Sequence, residues 1–146
     1  MDMLSQLVDN RILITAAVTW AASQVIKTIL YAVIHRRLDW GRLVGDGGMP
    51  STHSATVTSA ATACGIHCGL GSAVFALSVL LAFITCHDAM NSRREIGKQA
   101  VVIKELAKEQ ESELDIALKE FVGHTPTQVV VGILLGIAMG MAVNLL

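Results

Sequence analysis

Apolar residues along the chain gather into blocks separated by two polar stretches. Residues 12 to 34, about 70 to 90, and 126 to 146 form three blocks near or beyond the roughly 20 residues that a helix needs to cross a bilayer core. A fourth, residues 54 to 69, is shorter and reads SATVTSAATACGIHCG. Its Ala, Thr and Gly would cross poorly if lipid surrounded them, but they suit close packing within a bundle. The pattern predicts an all-α integral membrane bundle of one domain, residues 1–146. Its four transmembrane helices are expected at about 12–35, 51–69, 70–92 and 126–146, with loops at 36–50 and 93–125.

The second loop has a pattern of its own. In EIGKQAVVIKELAKEQ, Ile96, Val102, Ile103 and Leu106 recur near helical spacing with charged residues between them. That predicts an amphipathic helix lying at the interface, followed by a looser acidic stretch around Glu109 to Asp115. In the last apolar block Gly132, Gly136 and Gly140 recur every fourth residue. Such a stripe lets another helix approach closely, either inside the fold or in a homodimer.

Composition supports lipid as the solvent: 53% of the 146 residues are hydrophobic against 16% charged, and the mean hydropathy is +0.57. A small soluble domain needs more polar surface than this. The first block lacks a basic leader beyond Arg11, is too long for a signal core and has no small-residue cleavage site, so it is expected to be retained. Cys64, Cys68 and Cys86 fall in or beside apolar helices, where they read as small packing residues; neither a disulfide nor a metal is assigned.

Net charge is only -1, yet its distribution is lopsided. With alternating helices, one side holds Arg36, Arg37, Arg42, Arg93, Arg94, Lys98, Lys104, Lys108 and Lys119, while the other holds Arg11. The excess of loop cations makes the first side cytoplasmic. A bacterial cytoplasmic membrane, with the polar site on its inner face, is the expected location. The bilayer is the partner this implies, with no nucleic acid.

Four polar groups converge on that side. Gln24, Lys27 and Tyr31 share one face of the first helix, where Lys27 either snorkels or faces a polar site. GDGGMPSTHSATV supplies Gly47 and Gly48 for a tight backbone, Pro50 for a first helical turn, Ser51 or Thr52 as a cap, and His53. A helix start of this kind can take an anion. HDAMNSRREIGKQA contributes His87, Asp88, Asn91, Arg93, Arg94 and Lys98, whose arginines serve either as lipid anchors or as partners for phosphate oxygens. KEFVGHTPTQ places His124 immediately before the last helix. Two histidines among cations and a helix start fit phosphate-ester cleavage without a metal or other cofactor. One imidazole attacks phosphorus and the other protonates the leaving alkoxide.

GGMPSTHSATV, DAMNSRREIGKQA, EFVGHTPTQVVVG and ASQVIKTIL together span most of residues 20 to 140. Through them the chain resembles the divergent branch of the type-2 phosphatidic acid phosphatase family, which is related to vanadium haloperoxidases. The resemblance implies a membrane phosphatase working through a phosphohistidine, with a lipid phosphate as substrate; phosphatidylglycerophosphate is the substrate associated with this branch. By motif, His53 in Pro-Ser-Thr-His matches the family's leaving-group acid, with Ser51 and Thr52 beside the phosphate, and His124 matches the nucleophile. Lys27, with Arg36 or Arg37, resembles the phosphate-binding pair of the first family motif, and Arg93 or Arg94 the arginine that usually precedes the nucleophile. The family's orienting acid is replaced by Gln128. Glu120, Asp88 or Gln128 itself is left to orient His124, and the alternative is a catalytically inactive protein that binds phosphate headgroups or a partner helix.

Overall fold

The computed structural model describes residues 2–38, 40–43, 48–109 and 124–145, without the side chains of residues 42, 92–94, 104 and 107–109. In order these form α1 (Met3–Val8), α2 (Arg11–His35), a 3-10 turn (Trp40–Leu43), α3 (Thr52–Cys68), α4 (Ala73–Met90), α5 (Ser92–Glu109) and α6 (Pro126–Leu145). The described residues are thus all helix and turn. Helix α1 lies in a stretch that the hydrophobic pattern assigned to no element. It is exposed throughout, except that Ser5 is half-buried and donates its hydroxyl to the Asp2 carbonyl.

Among the described residues, three stretches are long and apolar enough to cross a membrane: Arg11–His35, Ala73–Ile103 and Pro126–Leu145. The protein is a membrane protein with an all-α bundle. Helix α3, the short fourth block, sits between the others and packs against α2, α4 and α6. Its small residues explain that position. At Gly132 an added Cβ would lie 2.6 Å from the Ser51 carbonyl oxygen, and at Gly136 2.5 Å from that of Ala55. At Gly140 it would lie 2.6 Å from Thr62 Cβ. Backbone therefore faces backbone at Gly132 and Gly136, and the Thr62 side chain fills the approach at Gly140. Of the two readings left open for Gly132, Gly136 and Gly140, packing inside the chain is the one observed, and a homodimer would need another surface.

Helix α2 is apolar outside and polar inside, the reverse of a soluble helix. Its buried residues are Thr15, Thr19, Ser23, Gln24, Lys27 and Thr28, whereas Val25, Ile29 and Val33 face outward. Lipid makes this arrangement favourable, provided the buried hydroxyls are satisfied locally. Thr15, Ser23 and Thr28 donate to the carbonyls of Arg11, Thr19 and Gln24 at 2.7, 2.6 and 2.9 Å, whereas the buried Thr19 hydroxyl makes no hydrogen bond among the described residues.

The loop ends of the bundle are pinned differently. At the end where α3 stops, Asn144 accepts from His67 Nε2 at 2.7 Å and donates to Thr15 Oγ1 at 2.9 Å. One side chain thereby ties α6 to α3 and α2. The opposite end carries the polar sequence motifs. There α5 leaves α4 as an 18-residue helix with Ile96, Val102, Ile103 and Leu106 exposed, which matches the amphipathic helix the sequence predicts. The acidic stretch beyond Glu109 lies outside the described residues.

Candidate active site

The entry to α3 is built from residues that leave little backbone choice. Gly48 has φ +87°, a region that disfavours side chains. A Cβ there would also press on Lys27, 3.2 Å from Cγ and 3.3 Å from Cδ. The glycine thus lets the loop lie across the lysine stem. The Met49–Pro50 peptide bond is cis, and Pro50 stands one residue before the cap, not in the first turn as its sequence position suggested. Ser51 is the cap: its hydroxyl accepts from the Ser54 N–H and meets the Ser54 hydroxyl at 2.9 Å. Both serines are fully buried. His53 follows in the first turn, half-buried.

The start of α6 carries the second histidine. Thr125 Oγ1 accepts from the Gln128 N–H at 3.3 Å, and Gln128 Oε1 accepts from the Thr125 N–H at 3.0 Å. This reciprocal pair is a capping box, with Pro126 at the first helical position. Thr-Pro-Thr-Gln spells it in the sequence, where the segment is read for His124 and for Gln128 in place of an orienting acid, but not as a cap. The box has a chemical consequence. Because a backbone N–H already points at Oε1, that atom is the carboxamide oxygen, and His124 Nδ1, 3.3 Å away, is its second donor. In the neutral ring this contact selects the tautomer whose lone pair is on Nε2.

Two main-chain hydrogen bonds bring the histidines together. The Ser51 N–H donates to the Gln128 carbonyl at 3.0 Å, joining the start of α3 to the first turn of α6. The His124 N–H donates to the Ala89 carbonyl at 3.1 Å, tying the same turn to the end of α4. As a result the rings of His53 and His124, 71 positions apart in sequence, lie edge to face with centroids 6.2 Å apart. His124 is only 3% exposed.

Other expected residues reach this place to different degrees. Lys27 is 4% exposed beneath Gly48. One turn before it, Gln24 accepts from Thr52 Oγ1 at 3.4 Å, so the polar face of α2 meets the entry to α3. Asp88, half-buried, precedes the Ala89 that holds the His124 backbone. Lys98 is not brought in: it is exposed on α5 and paired with Glu95 at 2.6 Å. Arg93 and Arg94 lie in the first turn of α5, but their side chains are outside the described residues, as are Gly47 and Glu120 entirely. Arg36, the left-handed cap of α2, and Arg37 are exposed. Ser54 and Thr125 are additions from the structure. Among the described residues no group of three His, Cys, Asp or Glu side chains could hold a metal ion.

These features have counterparts among known proteins. A sequence model described as the divergent PAP2 family matches residues 8–139, a span that contains Lys27, His53, Asp88, His124 and Gln128. A protein of Bacillus subtilis (strain 168), described as the uncharacterized membrane protein YuiD, is 37% identical over 148 residues; the match covers 92% of this chain and 94% of that protein. No solved structure matches the chain.

Proposed function

The chain belongs to the divergent PAP2 family, and from that premise we propose that it is a membrane phosphomonoesterase that hydrolyses a lipid phosphate through a phosphohistidine on His124. The observation that carries the reading is the pair of imidazoles 6.2 Å apart, one of them held by Gln128. That separation is short enough for a single phosphoryl group to touch both rings.

In this mechanism Gln128 Oε1 accepts a hydrogen bond from the Nδ1–H of His124 and leaves Nε2 to attack phosphorus. The N–P bond forms as the P–O bond to the lipid alcohol breaks, and protonated His53 gives its proton to the departing alkoxide. Neutral His53 then removes a proton from water, which attacks the phosphohistidine, breaks the N–P bond and releases inorganic phosphate. Lys27, Ser51, Thr52 and the first N–H groups of α3, below the Gly48 turn, balance the equatorial oxygens. Asp88 is a second candidate to steady the His124 turn, and Arg93 and Arg94 are candidates for further oxygen contacts. The paired Lys98 is left out. Phosphatidylglycerophosphate is the leading substrate. The cations of loops 36–50 and 93–125 favour the cytoplasmic side for the site.

The test is phosphate release by the purified protein from a panel of lipid phosphates, with His124→Ala beside it. His124→Ala is expected to lower turnover by about 10⁴-fold or more, His53→Ala to slow it severely, vanadate to inhibit, and a chelator to leave it unchanged. Full activity in His124→Ala would overturn the mechanism. Saturable headgroup binding with no release from any lipid phosphate would favour the inactive alternative.

A further inference from the structure

Helix α2 reaches the entry to α3 with a second long polar side chain besides Lys27. Gln24, one turn earlier and 7% exposed, accepts from Thr52 Oγ1 at 3.4 Å, across 28 positions of sequence. Thr52 is buried, opens α3 and directly precedes His53. Each partner is also braced within its own helix. Thr28 Oγ1 donates to the Gln24 carbonyl at 2.9 Å, and Thr56 Oγ1 donates to the Thr52 carbonyl at 2.8 Å.

Packing alone does not ask for an amide here. Thr15, Ser23 and Thr28 place their hydroxyl protons on their own helix, whereas a carboxamide within lipid is costly unless it has a partner. What the longer side chain adds is a second attachment for the first turn of α3. Ser51 hangs from α6, through its N–H on the Gln128 carbonyl. Thr52 is held to α2, through its hydroxyl on Gln24. One attachment fixes where a helical turn lies; a second, on another helix, fixes its rotation about the helix axis. His53 is the next residue, so its direction relative to His124 depends on both bonds.

We propose that Gln24 is a positioning residue. Its carboxamide oxygen holds the Thr52 hydroxyl, and through that turn it keeps protonated His53 aimed at the leaving oxygen. The P–O bond then breaks as the proton passes from His53 to the alkoxide. Gln24 acts through Thr52 and exchanges no proton itself. This rests on the phosphatase reading of His53 and His124. A neutral amide suits the place, because a carboxylate there would stand one helical turn from Lys27 and compete with phosphate for it.

The role has a signature in the leaving group. An alkoxide needs the proton, whereas para-nitrophenolate departs without one, and the ratio of kcat/KM for two such esters removes any shared change in phosphate binding. The experiment measures kcat/KM of the full chain in detergent for phosphatidylglycerophosphate and for para-nitrophenyl phosphate. Gln24→Leu is expected to lower the value for the lipid about tenfold and that for the aryl ester by less than about twofold. Thr52→Val should reproduce that change in ratio, and the double variant should go no further than either single one. Gln24→Glu keeps an acceptor, so it should retain the wild-type ratio even where both values fall. Equal losses on the two esters, an additive double variant, or a ratio in Gln24→Glu as low as in Gln24→Leu would each overturn the positioning role and leave the phosphatase reading intact. Hydrolysis of neither ester by the wild type would overturn that reading, and the positioning role with it. Should Gln24→Leu fail to fold, Thr52→Val and Gln24→Glu carry the same comparison.

Discussion

Helix α6 meets α3 and α4 in opposite ways. Toward α3 it presents Gly132, Gly136 and Gly140, and the helices touch at the backbone. Toward α4 it presents Val130 and Ile133, and a cavity of about 510 Å³ separates the walls. Residue size alone accounts for the contrast, because a missing side chain lets axes close while a branched one holds them apart. The tight face holds the start of α3 against the first turn of α6, and the open face leaves a cavity between α4 and α6. In a membrane both faces are apolar, so shape replaces hydrophobicity as the organising quantity.

The contrast can be broken most severely on the tight face. Gly136→Leu should cost about 3 kcal/mol or more, since its Cβ alone would overlap the Ala55 carbonyl. The expected result is a large fall in the thermal midpoint in detergent, read by circular dichroism, together with loss of turnover. A next test lies at the junction of the two faces. Gln128→Leu removes both the capping box and the acceptor for His124, and should lower turnover by about 100-fold with the bundle still folded. Gln128→Glu keeps an acceptor at the same reach and should stay within about threefold of wild type; a loss as large as that of the leucine variant would remove Gln128 from the orienting role.

Smaller effects sharpen the picture. Gly48→Ala places a side chain at positive φ and against Lys27, and should destabilise by about 1–2 kcal/mol. If Lys27 contacts the phosphate, KM should rise with it. Val130→Ala, on the open face, should change stability by only about 0.5 kcal/mol, because the space beside it is already empty. Equal sensitivity at Gly136 and Val130 in the same melting experiment would abolish the distinction between the faces.

The sequence made the helices legible because apolar blocks of membrane length have few alternatives. Predicted bounds of 12–35 and 126–146 stand beside observed Arg11–His35 and Pro126–Leu145. The internal place of α3 was also readable, from its small residues. Where two outcomes shared one local pattern, the sequence could not choose. The glycine stripe suits an internal helix or a second copy equally, and only the long-range contact with Ser51, Ala55 and Thr62 decides. Lys98 shares a segment with Arg93 and Arg94, but its own carboxylate partner lies three residues away, so a local pair sufficed. Pro50 carried a helix-start signal and landed one residue outside the helix. Gln128 looked like a lost acid, whereas Thr-Pro-Thr-Gln contained its capping role all along. The nearness of His53 to His124 depends on hydrogen bonds between residues more than thirty positions apart, which no local motif encodes.

Two of those bonds have a consequence for how such a protein can change over time. The His124 turn hangs from the Ala89 carbonyl, and the His53 turn hangs on the carbonyl of Gln128. Peptide groups are the same whatever side chains they bear. Much of the surrounding chain can therefore be rewritten, provided the glycines keep the axes close, while the distance between the two imidazoles is inherited unchanged. A lineage with this architecture can drift far in sequence and leave its two imidazoles where they were.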